Sequence, residues 1–506
     1  MTPTGTRSTT GQSESSPVVI TDAGDVDRAI DGRPIQGRRH VFVIVLAFAG
    51  LGFEGFFVGA LSGGMSTLKE QLGLDGDAVG TFSGLGYAAS IVAALACARI
   101  GDRVGRVRLL VGAKVLAVIG ATVMATAGSF DMLLAGRVTS GIAYGIDLGI
   151  ALAYLAEFLP KARRNWLNFS QAQWYTSTSL ALLVTLVVTE LGAGLDTWRW
   201  VLGVAAVVAF VLFLCRLIFM PESARWLAAR GDLPGAARSL TRLYREPFVA
   251  EAAASAPAPA VTVPWSALWT PGYRRRTVLA NIVGFTEALQ YFAIAFYLPI
   301  ISLELFGGGI TMAIAGSLVF NVFGIIGGFL AVRFTQRLGL RVATAWGYAG
   351  VAVSILVLAL WTDIPLWAGF LVPSVFIFCH AIAPGTAGLT MGSLAYRSEL
   401  RARGSQLVTI SRSAAGVTGL YCFPVLQSAV GTSTTLLIFL VAAPLTGLVA
   451  CLVITWEPLS NESDRELDML SDMPSRPVAR SDRSMGDENE PESREAAHDD
   501  ERIGPR

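Results

Sequence analysis

Apolar residues in this chain run in long blocks rather than in alternation or narrow amphipathic stripes. A helix needs about 20 mostly apolar residues to cross a bilayer. Twelve such stretches can be laid out, at roughly 41–62, 78–100, 108–129, 131–157, 166–191, 197–219, 277–302, 310–332, 342–362, 364–393, 405–430 and 433–456. The pattern predicts an all-α membrane protein of twelve transmembrane helices, six in a bundle at 40–219 and six in a second at 277–456. Between them, 220–276 reads as a central loop, with an amphipathic stretch around 236–244 and a flexible Ala/Pro segment at 252–259. Residues 1–39 and 457–506 are rich in Ser, Pro and charge and poor in aromatics, a composition that predicts disorder. The C-terminal tail is acidic, as in Asp487-Glu488 and Asp499-Asp500-Glu501; a solvated tail and a regulatory docking tail are the two readings of it.

Composition supports the membrane reading. Hydrophobic residues make up 53% of the 506 residues and charged residues 15%, with a mean hydropathy of +0.55. A soluble protein carries roughly 25% charged residues. Lys and Arg number 39 against 38 Asp and Glu, so no basic excess exists to hold nucleic acid. Five cysteines without paired spacing and three histidines give no metal-ligand set, and neither HExxH nor GxSxG occurs. No metal, cofactor or enzymatic activity is expected. The polar N-terminus argues against a cleavable signal peptide. Arg38, Arg39, Arg103, Arg106, Arg163, Arg164, Arg274, Arg275 and Arg276 fall on one side of the predicted layer, whereas the opposite loops hold Lys69 and Arg199. Positive charge marks the cytoplasmic side, so a multi-pass protein of the cell membrane with both termini cytoplasmic is expected.

The two halves echo one another. Asp102 and Gln336 are 234 positions apart, Arg164 and Arg401 237, and Glu54 and Glu287 233. Near-constant offsets point to one six-helix unit used twice in pseudo-symmetry, as in many transporters.

The loop Arg99-Ile100-Gly101-Asp102-Arg103-Val104-Gly105-Arg106 resembles the signature between helices 2 and 3 of the major facilitator superfamily, with Ala98 where glycine is preferred. Arg137-Val138-Thr139-Ser140-Gly141, Glu157-Phe158-Leu159-Pro160-Lys161-Ala162-Arg163-Arg164 and Pro221-Glu222-Ser223-Ala224-Arg225-Trp226-Leu227 are similar to motifs of its sugar porter and metabolite:proton symporter branches. The resemblance covers about residues 40–460. Gly52-Phe53-Glu54 stands where aromatic-acid:proton symporters have Gly-Phe-Asp, and Ser411-Arg412 resembles the Gly-Arg of that branch. In the second half, Leu394-Ala395-Tyr396-Arg397 replaces Glu-x-x-Pro and Gln336 replaces the aspartate, so a weaker second latch is expected. The resemblance implies two bundles rocking about a central cavity by alternating access. It implies a gate formed by Asp102, Arg103, Gly105 and Arg106, with Glu157, Arg164, Arg337 and Arg401 at the matching helix ends.

Charges inside a bilayer are costly, at about 2.5–3.5 kcal/mol each on insertion scales, so each invites a functional reading. Glu54 and Arg137 lie at similar depth, about 12 and 9 Å from the outer helix ends. That makes an ion pair plausible, either as the proton-coupling device the resemblance implies or as structure alone. Asp147 lies too far along helix 4 to pair with Arg137, so it reads as a second protonatable group or as partner to an arginine elsewhere. Glu287, Gln290 and Tyr291 share one face of helix 7, and Gln171, Trp174, Tyr175 and Thr178 form a similar stripe on helix 5. Both stripes suit a cavity for a hydroxylated or ring-bearing solute, or else interhelical hydrogen bonding. Arg412 is read as a carboxylate ligand, or as snorkelling or pairing with Asp147 or Glu287. His380 is read as packing, or as a proton relay or substrate contact. Lys114 is expected to snorkel. The leading function is secondary active transport of a small organic metabolite, an organic acid or sugar-like compound, by proton symport, with the chain a monomer whose partners are solute, protons and lipid. Proton-driven efflux of amphipathic compounds and a non-transporting membrane sensor are the alternatives.

Overall fold

The computed structural model describes residues 17–35, 37–251, 264–295, 310–361 and 365–472. The first bundle comprises α2 (Arg38–Leu72), α3 (Gly76–Val104), α4 (Arg106–Ala125), α5 (Phe130–Phe158), α6 (Phe169–Glu190) and α7 (Thr197–Phe219). The second comprises α10 (Pro271–Ala295), α11 (Ile310–Leu338), α12 (Leu340–Leu360), the pair α13 (Leu366–Ile382) and α14 (Pro384–Leu394), α15 (Ser398–Val430), and α16 (Ala442–Val453), which a π-helical stretch at Leu436–Leu440 precedes. Ten of the described helical spans are long and apolar enough to cross a membrane. With α6 and α15, which carry more polar residues, they make the twelve of the major facilitator fold. Exposed apolar side chains such as Trp200, Val207, Leu217, Trp346, Val353 and Leu452 line the outside, where a lipid surface is their natural solvent.

Local chemistry sets the helix ends. Asp75 caps α3 by accepting from the Ala78 amide at 2.8 Å, and Ser129 caps α5 from Met132 at 3.3 Å. Between α3 and α4, Gly105 adopts φ +101°, a conformation that disfavours any side chain. Gly339 repeats it between α11 and α12 at φ +86°. Pro384 ends α13 and starts α14, because proline removes an amide donor and clashes with a preceding turn.

Two of the sequence expectations are corrected. Within the predicted disordered tail 1–39, Val18–Ile20 forms a strand, β1, paired in parallel with β2 at Phe248–Ala250. It leads into α1 (Ala23–Asp31), capped by Asp22. α1 packs Val26, Ala29 and Ile30 against α8 (Ala224–Ala229) and α9 (Leu233–Tyr244) of the central loop, and this apolar cluster orders the segment. Second, residues Asn461–Asp472 of the predicted acidic tail form a helix, α17, tied to α10 by Arg276 Nη2–Glu466 at 2.6 Å and by an Arg275–Glu466 pair. The amphipathic stretch near 236–244 is helical, within α9. The Ala/Pro segment at 252–259 and residues 1–16, 36 and 473–506 of the two tails lie outside the described residues.

Candidate functional site

The two polar stripes predicted on helices 5 and 7 meet face to face between the bundles. Leu51, Leu148, Leu152, Ser170, Gln171 and Trp174 from the first half, and Glu287, Tyr291, His380, Gly385, Thr386, Leu389 and Arg412 from the second, enclose a cavity of about 30 Å³. That holds about two waters. Trp174 Nε1 donates to the Tyr291 hydroxyl at 2.9 Å, and the Tyr291 ring stacks on His380 at 4.6 Å. Tyr175 is bonded to His380 Nδ1 at 2.8 Å. The break at Pro384 places Gly385 and Thr386 at the wall, with the Gln171 side chain against Gly385.

Glu287 is held by two partners. Arg412 pairs with one carboxylate oxygen, and His380 Nε2 lies 3.0 Å from the other. A carboxylate only accepts, so Nε2 carries the proton and donates; neutral His380 then accepts the Tyr175 hydroxyl on Nδ1. His380 therefore bridges the two halves rather than merely filling space. Arg412 is 5% exposed and faces the cavity, so the snorkelling reading is set aside. Gln290, fully buried, and Thr386 have side-chain polar atoms without partners among the described residues.

In the first bundle the expected Glu54–Arg137 pair does not form. Lys114 Nζ takes Glu54 at 2.7 Å and Asp147 at 2.8 Å. Arg216 holds Asp147 through both terminal nitrogens, one at 3.2 Å, and donates to the Leu110 carbonyl at 2.9 Å. Two cations and two anions from α2, α4, α5 and α7 thus form one buried, neutral cluster. Lys114 is fully buried, so the snorkelling expectation is corrected. Arg137 instead donates to the carbonyls of Phe82 and Ser83, both at 3.2 Å, with its guanidinium over the Tyr87 ring at 5.5 Å. Equal depth was the basis for pairing it with Glu54; α4 brings a cation to Glu54 from another direction, and Arg137 turns toward α3.

The gate residues divide. The side chains of Asp102 and Arg103 lie outside the described residues. Arg106 and Glu157 are buried together, Nη2 to Oε1 at 3.5 Å. Arg401 of the second half reaches the same oxygen at 3.8 Å, so this cluster spans both bundles. Arg164 is buried nearby in sequence; Arg337 is exposed at the end of α11 and no ion pair is recorded for it among the described residues. At each elbow a carboxylate caps the following helix. Glu222 accepts from the amides of Arg106 at 2.9 Å and Val107 at 3.2 Å. Glu457 accepts from Leu340 at 2.7 Å and Arg341 at 3.1 Å. Burial pushes both carboxyls above their usual range, against the amide hydrogen bonds that favour the charged form. The second elbow thus keeps its geometry although its sequence pattern has decayed.

Sequence reasoning missed Lys114, Arg216, Glu457 and Thr386 as site residues. The signal available for the first two was charge balance, because two mid-span acids require two cations.

A cavity enclosed by two pseudo-symmetric helical bundles, with buried charge beside it and a salt-bridged face, is the construction of a membrane transporter. The family described as sugar (and other) transporter matches residues 41–456, and the chain belongs to it. It is 27% identical over 387 residues to the arabinose-proton symporter of Bacillus subtilis, covering 73% of this chain and 82% of that protein. It is 25% identical over 416 residues to the glucose transporter GlcP of Staphylococcus epidermidis, covering 80% and 91%. The solved proton:xylose symporter XylE, from E. coli, superposes with a TM-score of 0.71 at 16% identity, over 85% of this chain and 99% of that one. The protein is a secondary transporter of small metabolites and not an enzyme.

Proposed function

We propose that the chain works as a monomer in the cell membrane, both termini cytoplasmic, and carries a small polar organic metabolite together with protons by alternating access. The observation that carries this reading is the cavity itself. Both halves contribute to it, its walls are aromatic and hydrogen-bonding, and at about 30 Å³ it is far smaller than the roughly 300 Å³ and more of a ligand pocket. Solute therefore enters only when the halves part.

Coupling is assigned to the buried cluster in the first half. Protonating Glu54 cancels one negative charge and frees Lys114 to move toward Asp147, which changes the packing of α2 against α4 and α5. A buried ion network with two charge states of similar energy is a bistable element of the kind that rocking requires. On the cytoplasmic face, Glu157 with Arg106 and Arg401 acts as the latch between halves. The arabinose-proton symporter among the relatives supports proton coupling by name.

Purified protein reconstituted into proteoliposomes should give saturable counterflow of a solute from a panel of sugars and organic acids, and an inward proton gradient should drive its accumulation. Saturable counterflow with no response to the proton gradient would remove the coupling and leave a uniporter.

A further inference from the structure

Glu287, His380 and Arg412 form a second charged cluster, and this one borders the cavity directly. A neutral sugar would be served by amides, hydroxyls and rings, such as those of Gln171, Trp174 and Tyr291. Nothing in recognising such a solute calls for a buried arginine locked to a carboxylate. Arg412 commits Nη1 to Glu287 and to the Gly385 carbonyl, the latter at 3.3 Å, while its Nε has no partner among the described residues. Thr386 Oγ1 is also unpartnered among the described residues, so the cavity wall offers an arginine edge and a hydroxyl beside the Gln171 amide, whereas Gln290 is fully buried outside the cavity wall.

Charge balance decides what can enter. With Glu287 ionised, Arg412 is neutralised from within, and an anion would add a net negative charge to a nearly dry cavity. With Glu287 protonated, the site is cationic and accepts an anion without net change. We infer that the solute is a hydroxylated monocarboxylate, and that Glu287 is the internal carboxylate it displaces from Arg412 after a proton has bound there. This rests on the transport reading above and adds the chemical class of the cargo. The step balances: one proton from water goes to a Glu287 oxygen, one carboxylate takes the guanidinium, and both leave on the other side. The groups facing Glu287 are Arg412 of α15 and His380 of α13. Tyr175 of α6 supports His380, Tyr144 of α5 lies beside Arg412, and Tyr291 on the same helix stacks on His380.

The test is counterflow in proteoliposomes at equal pH on both sides, with labelled D-gluconate and D-glucose as probes. Wild-type protein should exchange gluconate with a KM that rises as pH increases, toward tenfold per unit. Unlabelled gluconate should inhibit, whereas glucose should not. Glu287→Gln should exchange gluconate with a KM flat in pH, which a merely structural carboxylate would not produce. Arg412→Lys should raise the gluconate KM at least tenfold, because lysine lacks the planar fork. Glucose counterflow that gluconate fails to inhibit would overturn the inference while leaving the transport reading intact. So would a Glu287→Gln pH profile parallel to wild type. The wild-type competition alone decides the matter if the variant does not fold. Folded protein that exchanges neither probe nor any other solute of the panel would sink the transport reading itself, and this inference with it.

Discussion

Lys114 stands 2.7 Å from Glu54 and 2.8 Å from Asp147, and without its ammonium two carboxylates would share the Arg216 guanidinium. Breaking a buried ion pair by removing one partner costs about 3–5 kcal/mol, since the partner left behind is neither solvated nor compensated. Lys114→Met should therefore lower the unfolding temperature sharply in detergent, and Lys114→Met/Glu54→Gln should recover much of the loss, because that pair of changes restores neutrality. An additive double variant would show that the two residues do not interact. Gly50 is the space through which Arg216 reaches Asp147: a methyl there would overlap the guanidinium. Gly50→Ala is expected to destabilise by about 1–3 kcal/mol, the usual cost of overpacking, whereas Gly112→Ala, where a methyl meets open space, should not. At this scale the sequence exposed which residues matter better than which residues meet. Glu54, Asp147, Arg137 and Lys114 stand out as charges within apolar spans, and depth follows from counting along a helix. The direction each side chain faces depends on how four helices rotate against one another, and no single span encodes that. Glu287 with Arg412 was one of several pairings left open, and His380 gave no sign of its two partners.

Among elements, the elbows before α4 and α12 are built alike. Each needs a glycine at positive φ, and each ends with a carboxylate from the far end of its own bundle on two helix amides. Glu222→Ala would leave the Arg106 and Val107 amides uncapped at a cost near 1 kcal/mol, the usual value for a lost N-cap. Thermal unfolding would measure it, and Glu222→Gln, which keeps an acceptor, should lose less. The Pro221-Glu222 motif marked the first elbow in the sequence. Its counterpart Glu457 was hidden because the flanking residues, Trp456 and Pro458, do not repeat the pattern. Likewise, the composition of residues 17–35 read as disorder because their apolar positions are few, yet Val26, Ala29 and Ile30 find a ready surface on α8 and α9. The contact of α17 with α10 makes a pH prediction. Burial raises the Glu466 carboxyl, but hydrogen bonds from Arg275 and Arg276 outweigh it and leave the group below its usual value. A depressed carboxyl contributes stability that is present above the unfolded value, near 4.3, and is lost as pH falls through the folded one. Fluorescence of Trp456, buried and bonded to Ser463 of α17 at 2.9 Å, should report release of α17 only on acidification below the usual carboxylate range. Glu466→Gln should show the released signal at neutral pH.

In the whole molecule, the two bundles are joined where they must also part. Ser90 and Ser413 are bonded at 2.7 Å, Asn168 reaches Thr335 and Thr390 at 3.2 Å, and Tyr175 meets His380, so short polar contacts run along the seam. Glu157 with Arg106 and Arg401 joins the two bundles by ion pairs, and in the proposed cycle this cluster is the latch of the face that carries α8 and α9. Glu157→Gln should weaken that closure, and a cysteine placed at the cavity wall, Thr386→Cys, should then react faster with an impermeant maleimide supplied from that face. An unchanged rate would remove Glu157 from the latch. The twelve-helix plan and the cavity stripes were legible in the sequence because spans and helix faces are periodic properties. The degree of closure was not, because it depends on how two finished bundles meet.

Proton coupling through the first-half cluster is tested most directly by Glu54→Gln, assayed for solute counterflow and pH-driven uptake in the same vesicles. The substitution holds the side chain neutral, as in the protonated state, while Lys114 keeps Asp147 as a partner. Exchange requires only that the loaded carrier reorient, so counterflow should persist. The substituted cluster has no proton to release, so pH-driven accumulation should fall clearly below wild type, to what the proton carried on Glu287 alone can drive. Full pH-driven accumulation in Glu54→Gln would contradict this coupling and transfer it to Asp147 or Glu287.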